Sequence, residues 1–319
     1  MIARALWEGL KSIGFGRRRR ALQARAAVRE DDVLTAAGAA YVMKDVQPFV
    51  ARGPSGDYAI FVTLPSAPPP PAGYPVLYML DGNAFVGGAA EALQLQSRFW
   101  RQSQVEPALV VAVGYPGDAL FDMGRRAYDF LPSHSSGKLS ERFMQGAPWH
   151  QPGGADAFLD FLTGPLRDAI ARRYPVDPAR QVLSGHSFGG FFTLYALLTR
   201  PRAFRRYAAL SPSLWWDEGR LPRDAQHLIA ALPADLQADL LFAVAEDETP
   251  DRPHISARML ADAADLAARL ERDGPAGLAV RHVVLAGENH QSVPPTVFSR
   301  VLRFASAPLS SGPDSKKEG

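Results

Sequence analysis

The stretch QVLSGHSFGG sets Ser187 at the centre of a Gly-x-Ser-x-Gly pentapeptide, Gly185-His186-Ser187-Phe188-Gly189. A serine hydroxyl attacks a carbonyl only when it is exposed, set beside a base and given donors for the oxyanion it creates. A short strand turning sharply into a helix supplies the exposure. Here an apolar run precedes the pentapeptide and the helical pattern FFTLYALLTR follows it. Glycines two residues to either side of the serine let neighbouring backbone approach where a Cβ would clash, and the helix N-terminus adds a positive field and the Phe188 N–H.

Such a nucleophile elbow predicts the chain order serine, acid, histidine, with each partner in a loop after a later strand. Of seven histidines, His134, His150 and His186 precede or adjoin the serine. His227 falls in the helical stretch AQHLIAAL, His254 at a helix entrance and His282 inside the last strand. His290, in the turn-rich LAGENHQSV, is therefore the expected general base. The acid is expected after the apolar run LLFAVA, where Glu246, Asp247 and Glu248 stand in succession. Glu248 ranks first because the carboxylate must clear the strand end before turning to the histidine, with Asp247 and Glu246 as alternatives. The second oxyanion donor is expected in VLYMLDGNAF, where Gly82 permits close backbone approach and Asn83 offers its N–H opposite that of Phe188.

These groups need a scaffold that presents loops from the ends of successive strands. β-branched and aromatic runs predict strands over Tyr41–Val50, Tyr58–Leu64, Val76–Leu80, Ala108–Gly114, Gln181–Ser184, Tyr207–Leu210, Leu240–Ala245 and Ala279–Leu285. The turn sequence GPSG joins the first two as an antiparallel hairpin. Later connections hold helical patterns at Ala89–Gln104, Ala157–Arg173, Gly190–Arg200 and Ala257–Arg272, the order of a mostly parallel sheet with helices on both faces. The loop Pro132–Gly153, without periodicity, is expected to form a rim or lid.

The 319 residues contain no cysteine, which removes thiol nucleophiles, disulfides, thiolate zinc sites and iron–sulfur clusters together. A net charge of +2 does not suit a nucleic-acid binder, and no stretch reaches the roughly 18 apolar residues of a membrane span. Of the 35 basic side chains only Lys11, Lys44, Lys138, Lys316 and Lys317 are lysines; the rest are planar, bidentate guanidinium groups. Arg17 to Arg20 form a basic run, but Arg25, Arg29, Glu30, Asp31 and Asp32 interrupt any secretory apolar core. The expected organisation is a flexible basic extension over 1–40, a catalytic domain over 41–307 and a disordered tail over 308–319. A cytoplasmic location is expected, with the periplasm as the alternative. No phosphate-binding GxxxxGK[ST], dinucleotide fingerprint or HExxH is present, so the expected reaction needs water and no cofactor or metal.

The motifs GYPVLYMLDGNAF, RRAYDFLP, GGADAFLDFL, QVLSGHSFGG, SPSLWW and GENHQSV occur in the order seen in the esterase branch of the α/β-hydrolases. Over Val46–Ala305 the chain most resembles the siderophore esterases of that branch, which cleave catecholate trilactones such as enterobactin and salmochelin. The resemblance implies an α/β-hydrolase fold, Ser187 and His290 as the catalytic pair, and a small-molecule ester as partner, a ferric or iron-free catecholate siderophore foremost. It also implies that Arg126, and less directly Arg125, meets an anionic substrate, and that Trp215 and Trp216 wall an aromatic acyl pocket. The family's DLTP reads DFLP here, losing a hydroxyl. Feruloyl and acetyl esterases, general carboxylesterases and acyltransferases share the scaffold and are the rival activities, and a fold-retaining binding protein is the non-catalytic one.

Overall fold

The computed structural model describes residues 43, 45–132, 152–248 and 258–308. The expected extension over 1–40, nearly all of the expected rim loop and all but the first residue of the expected tail lie outside the described residues.

Eight strands form one sheet in the order β1-β2-β4-β3-β5-β6-β7-β8. The first two, β1 (Val46–Gly53) and β2 (Gly56–Thr63), make the expected hairpin around the two-residue turn Pro54-Ser55. Strand β1 runs on past Val50 because Gly53 pairs directly with Gly56. β2 then pairs antiparallel with β4 (Leu109–Gly114), a neighbour that spacing alone did not specify. From β3 (Tyr74–Leu80) through β5 (Val176–His186), β6 (Arg206–Leu210), β7 (Ala238–Ala245) and β8 (Leu278–Leu285) every pairing is parallel. These central strands read as continuous apolar runs because both faces are covered.

One face carries α1 (Gly82–Arg98) and α9 (Val293–Ser306), packed on Leu77, Met79, Val110, Ala112 and Val182. The other carries α3 (Met123–Phe130), α4 (Ala155–Phe161), α5 (Arg167–Arg173), α6 (Phe188–Thr199), α7 (Trp216–Ala230) and α8 (Met259–Asp273), packed on Tyr78, Leu80, Leu183, Phe242 and Val244. The short α2 (Trp100–Ser103) follows α1. No described helix is long and apolar enough to cross a membrane.

Two helices depart from the expected spans for local reasons. The pattern over Ala157–Arg173 is broken by a π-helical turn, Leu162–Leu166, containing Pro165. Proline has no N–H to continue the ladder, so the chain takes up one wider turn before α5 resumes. The helix expected from Ala89 starts seven residues earlier, at Gly82, because the β3 strand end turns directly into it.

Arg206 fixes the far end of α9 to the sheet. Its side chain is buried, pairs with Asp239 at 2.9 Å and donates to the carbonyls of Ala305, Ala307 and Pro308. A buried guanidinium is tolerable only with such full satisfaction.

Candidate active site

Ser187 caps α6 with φ 60° and ψ −116°, a conformation L-residues rarely adopt. The surrounding backbone over-determines it: Ser187 N donates to Leu210 O at 3.0 Å, and its carbonyl accepts from Phe191 N and Ser213 N. The glycines divide the work differently from the pentapeptide pattern. A Cβ on Gly185 would stand 2.4 Å from the Gly189 carbonyl, and one on Gly190 2.7 Å from the Leu210 carbonyl, whereas at Gly189 it would make ordinary contacts at 3.5 Å. Gly185 and Gly190 are therefore the close-approach positions.

His290 lies in the loop between β8 and α9. Asn289 ties that loop down, its Oδ1 accepting from the N–H groups of Gln291 and Ser292 while its own N–H donates to Ser292 Oγ. The imidazole Nδ1 is 2.5 Å from Glu248 Oε1. Glu248 is 2% exposed, and its Oε2 accepts from Ser211 Oγ at 3.0 Å and from Ala245 N at 3.3 Å. Of the three successive carboxylates, Glu248 is the one seen in contact with the histidine. Glu246 turns outward to accept from Gly287 N, and Asp247 is half-buried, its N–H bonded to the Glu288 carbonyl. Ser187 Oγ lies 3.1 Å from Ser213 Oγ and makes no hydrogen bond to His290 in this structure. Ser211 and Ser213 are not among the residues expected from sequence. Their signal is the SPS triplet directly after β6, the strand beside the one that carries the elbow.

Asp81 turns β3 into α1 with φ 56°. A Cβ on Gly82 would meet the Ala112 and Val113 backbone at 2.9 to 3.0 Å, so only glycine fits there. The Asn83 side chain clamps the end of β4, accepting from Tyr115 N and donating to Tyr115 O at 2.8 Å each. That holds its backbone N–H in the first turn of α1, where no intrahelical acceptor exists. Phe188 is the first residue of α6, directly after Ser187.

The structure gives both arginines, expected to meet substrate, partners within the protein. Arg126 is 4% exposed and its fork is occupied by Asp81, with Nε to Oδ1 at 2.8 Å and Nη2 to Oδ2 at 2.9 Å. Its remaining nitrogen faces Met123 Sδ at 3.6 Å. Arg126 thus braces the strained Asp81 turn instead of presenting a free cation. Arg125 lies over the rings of Tyr58 and Tyr115 and donates to Ser55 Oγ and the Asp57 carbonyl. Trp216 is corrected from pocket wall to core: it is 1% exposed and packs against Phe188 at 5.6 Å. Trp215 is half-buried, 5.8 Å from the Phe188 ring, and is the indole that borders the elbow.

Beneath Arg125, Asp129 is fully buried and its Oδ2 accepts from Ser55 Oγ, Tyr58 OH and Tyr115 OH at 2.9 to 3.0 Å. Burial pushes its carboxyl up to about 6, and the hydroxyl donors and Arg125 only partly oppose that. The folded protein therefore holds this proton more tightly than the unfolded chain. The stabilisation is complete below about pH 4 and is lost as pH rises through about 6, amounting to on the order of 3 kcal/mol. Urea melts between pH 4 and 7 should show this decline in the wild type and its absence in Asp129→Asn; parallel pH dependences in the two proteins would refute it.

A match to the family described as "Putative esterase" covers residues 52–279. The chain is 37% identical over 265 residues to the ferri-bacillibactin esterase BesA of Bacillus subtilis, spanning 83% of this chain and 90% of that protein. It is 36% identical over 160 residues, 49% of this chain and 47% of that protein, to the apo-salmochelin esterase of Escherichia coli. The crystal structure of the BES protein from Bacillus cereus superposes with a TM-score of 0.75 at 33% identity, covering 86% of this chain and 99% of that one. With an eight-stranded mostly parallel sheet and these relatives, the chain belongs to the "Putative esterase" family of α/β-hydrolases and is a carboxylic ester hydrolase.

Proposed function

We propose that the chain is a siderophore esterase that opens the ester bonds of an enterobactin-type catecholate trilactone, iron-loaded or iron-free, through Ser187, His290 and Glu248. The observation that carries the mechanism is the 2.5 Å contact of His290 Nδ1 with the buried Glu248. With Nδ1–H donated to the carboxylate, Nε2 is left to accept a proton. The Ser187 hydroxyl rotates from Ser213 toward His290, gives up its proton and attacks the ester carbonyl. The N–H groups of Phe188 and Asn83 receive the oxyanion. The imidazolium then protonates the departing alkoxide, and water deprotonated by His290 releases the acyl group.

The choice of substrate is supported by the relatives, one an esterase of a ferri-siderophore and another of an apo-siderophore. Trp215, half-buried against Phe188, offers an aromatic surface suited to a catechol acyl group. The test is product analysis with enterobactin in both iron states beside p-nitrophenyl butyrate. The trilactone should exceed the simple ester in kcat/KM by about 100-fold or more. Turnover confined to the simple ester would replace this reading with a general carboxylesterase.

A further inference from the structure

His186, the residue before the nucleophile, has no part in the reaction laid out above, yet its ring lies against the base. The ring centroids of His186 and His290 are 4.5 Å apart, with planes inclined at 44°. Phe85 of α1 makes a T-shaped contact with His186 at 6.1 Å and 89°. His186 is buried; its ring bonds to the His290 backbone, while its Nε2 has no hydrogen-bond partner among the described residues. An unpaired buried nitrogen weakens a fold, so an apolar side chain would serve packing alone better. Burial, with the Arg126 guanidinium adding to it and the bond to the His290 backbone only partly opposing it, pushes this imidazole well below its ordinary range, which keeps the ring neutral.

The geometry of the base explains what such a ring could do. Glu248 holds His290 at one point, Nδ1. A single hydrogen bond leaves the imidazole free to swing about the Nδ1···Oε1 axis, and that swing carries Nε2 away from Ser187. His290 also sits on a loop after β8, three strands from the elbow in the sheet order. His186 is the last residue of β5, joined directly to Ser187. A flat face there refers the plane of a loop-borne base to the strand that carries the nucleophile.

We infer that His186 is a positioning residue whose ring is the wall against which the His290 imidazole rests, fixing the plane in which Nε2 is offered to Ser187. The inference rests on His290 being the base.

Full-length His186→Ala, His186→Leu and His186→Phe, assayed with p-nitrophenyl acetate, test it independently of the natural substrate. Leucine fills the space without a flat face and guards against failure of the alanine variant to fold. Alanine and leucine should each lower kcat by about 10- to 100-fold with KM within about twofold, while phenylalanine retains kcat within about threefold. In a His290→Ala background the same substitutions should change the residual rate by less than about twofold, since a residue acting through His290 has nothing left to act on. Wild-type kcat in the leucine variant, equal damage by phenylalanine and leucine, or an undiminished loss in the His290→Ala background would each overturn the inference. Wild-type activity in His290→Ala alone would remove the base assignment and this inference with it. A slow His290→Ala beside unaffected His186 variants would remove only the latter.

Discussion

Replacing Ser187 with alanine is expected to lower kcat for ester hydrolysis by about 10⁵- to 10⁶-fold and to abolish labelling by a fluorophosphonate. The chain has no cysteine to substitute as nucleophile. The neighbouring hydroxyl, Ser213 Oγ, is 1% exposed at the residue level and is delivered by a different loop, off the helix N-terminus that serves the oxyanion. Alanine meets the same backbone cost as serine at φ 60°, so the elbow should persist. The fold would lose only the Ser187–Ser213 hydrogen bond, about 1 kcal/mol. Thermal melts of the variant should therefore stay close to the wild type while initial rates collapse. Labelling of the variant at the wild-type rate, read by intact mass, would place the nucleophile elsewhere.

The second large effect is expected at Glu248. Glu248→Gln should lower kcat by about 10³- to 10⁴-fold, whereas Asp247→Asn and Glu246→Gln should each stay within about threefold of the wild type. An amide keeps the volume but can turn a donor toward Nδ1, which favours the tautomer with its proton on Nε2. That tautomer cannot take the Ser187 proton, and the neutral amide no longer stabilises the imidazolium. Ser211 and the Ala245 N–H hold Oε2, so Oε1 is the oxygen committed to the histidine. Glu246 is exposed and bonded to Gly287 N, without a path to the imidazole. Steady-state rates of the three variants decide the matter, and a dominant loss in Asp247→Asn or Glu246→Gln would move the acid.

Much of this arrangement was legible because its signals are local. A strand, a Gly-x-Ser-x-Gly turn and a helix are contiguous, so the elbow could be recognised without knowing what packs on it. Chain order then narrowed seven histidines to His290. The three carboxylates after β7 could be ranked by reach, and the favoured one, Glu248, is the one in contact. Roles that depend on distant partners were not legible. The expectation that Arg126 faces substrate came from the resemblance and from its charge, while its partner, Asp81, stands 45 residues away in sequence. Trp215 and Trp216 are adjacent and identical in type. Their different burial follows from which of them enters the core under Phe188, a matter of helix packing.

The sequence by itself determined the alternation of strands and helices and the Gly-x-Ser-x-Gly turn between them, because hydrophobic periodicity and turn chemistry act over a few residues. The tertiary structure decided what depends on two segments meeting. It set β2 against β4, assigned the close-approach role to Gly190 instead of Gly189, and spent both expected substrate arginines on internal partners. It also brought Ser213 to Ser187, Ser211 to Glu248 and His186 to His290. Those assignments turn on ångström-scale distances between residues far apart in the chain, and only the folded backbone supplies them.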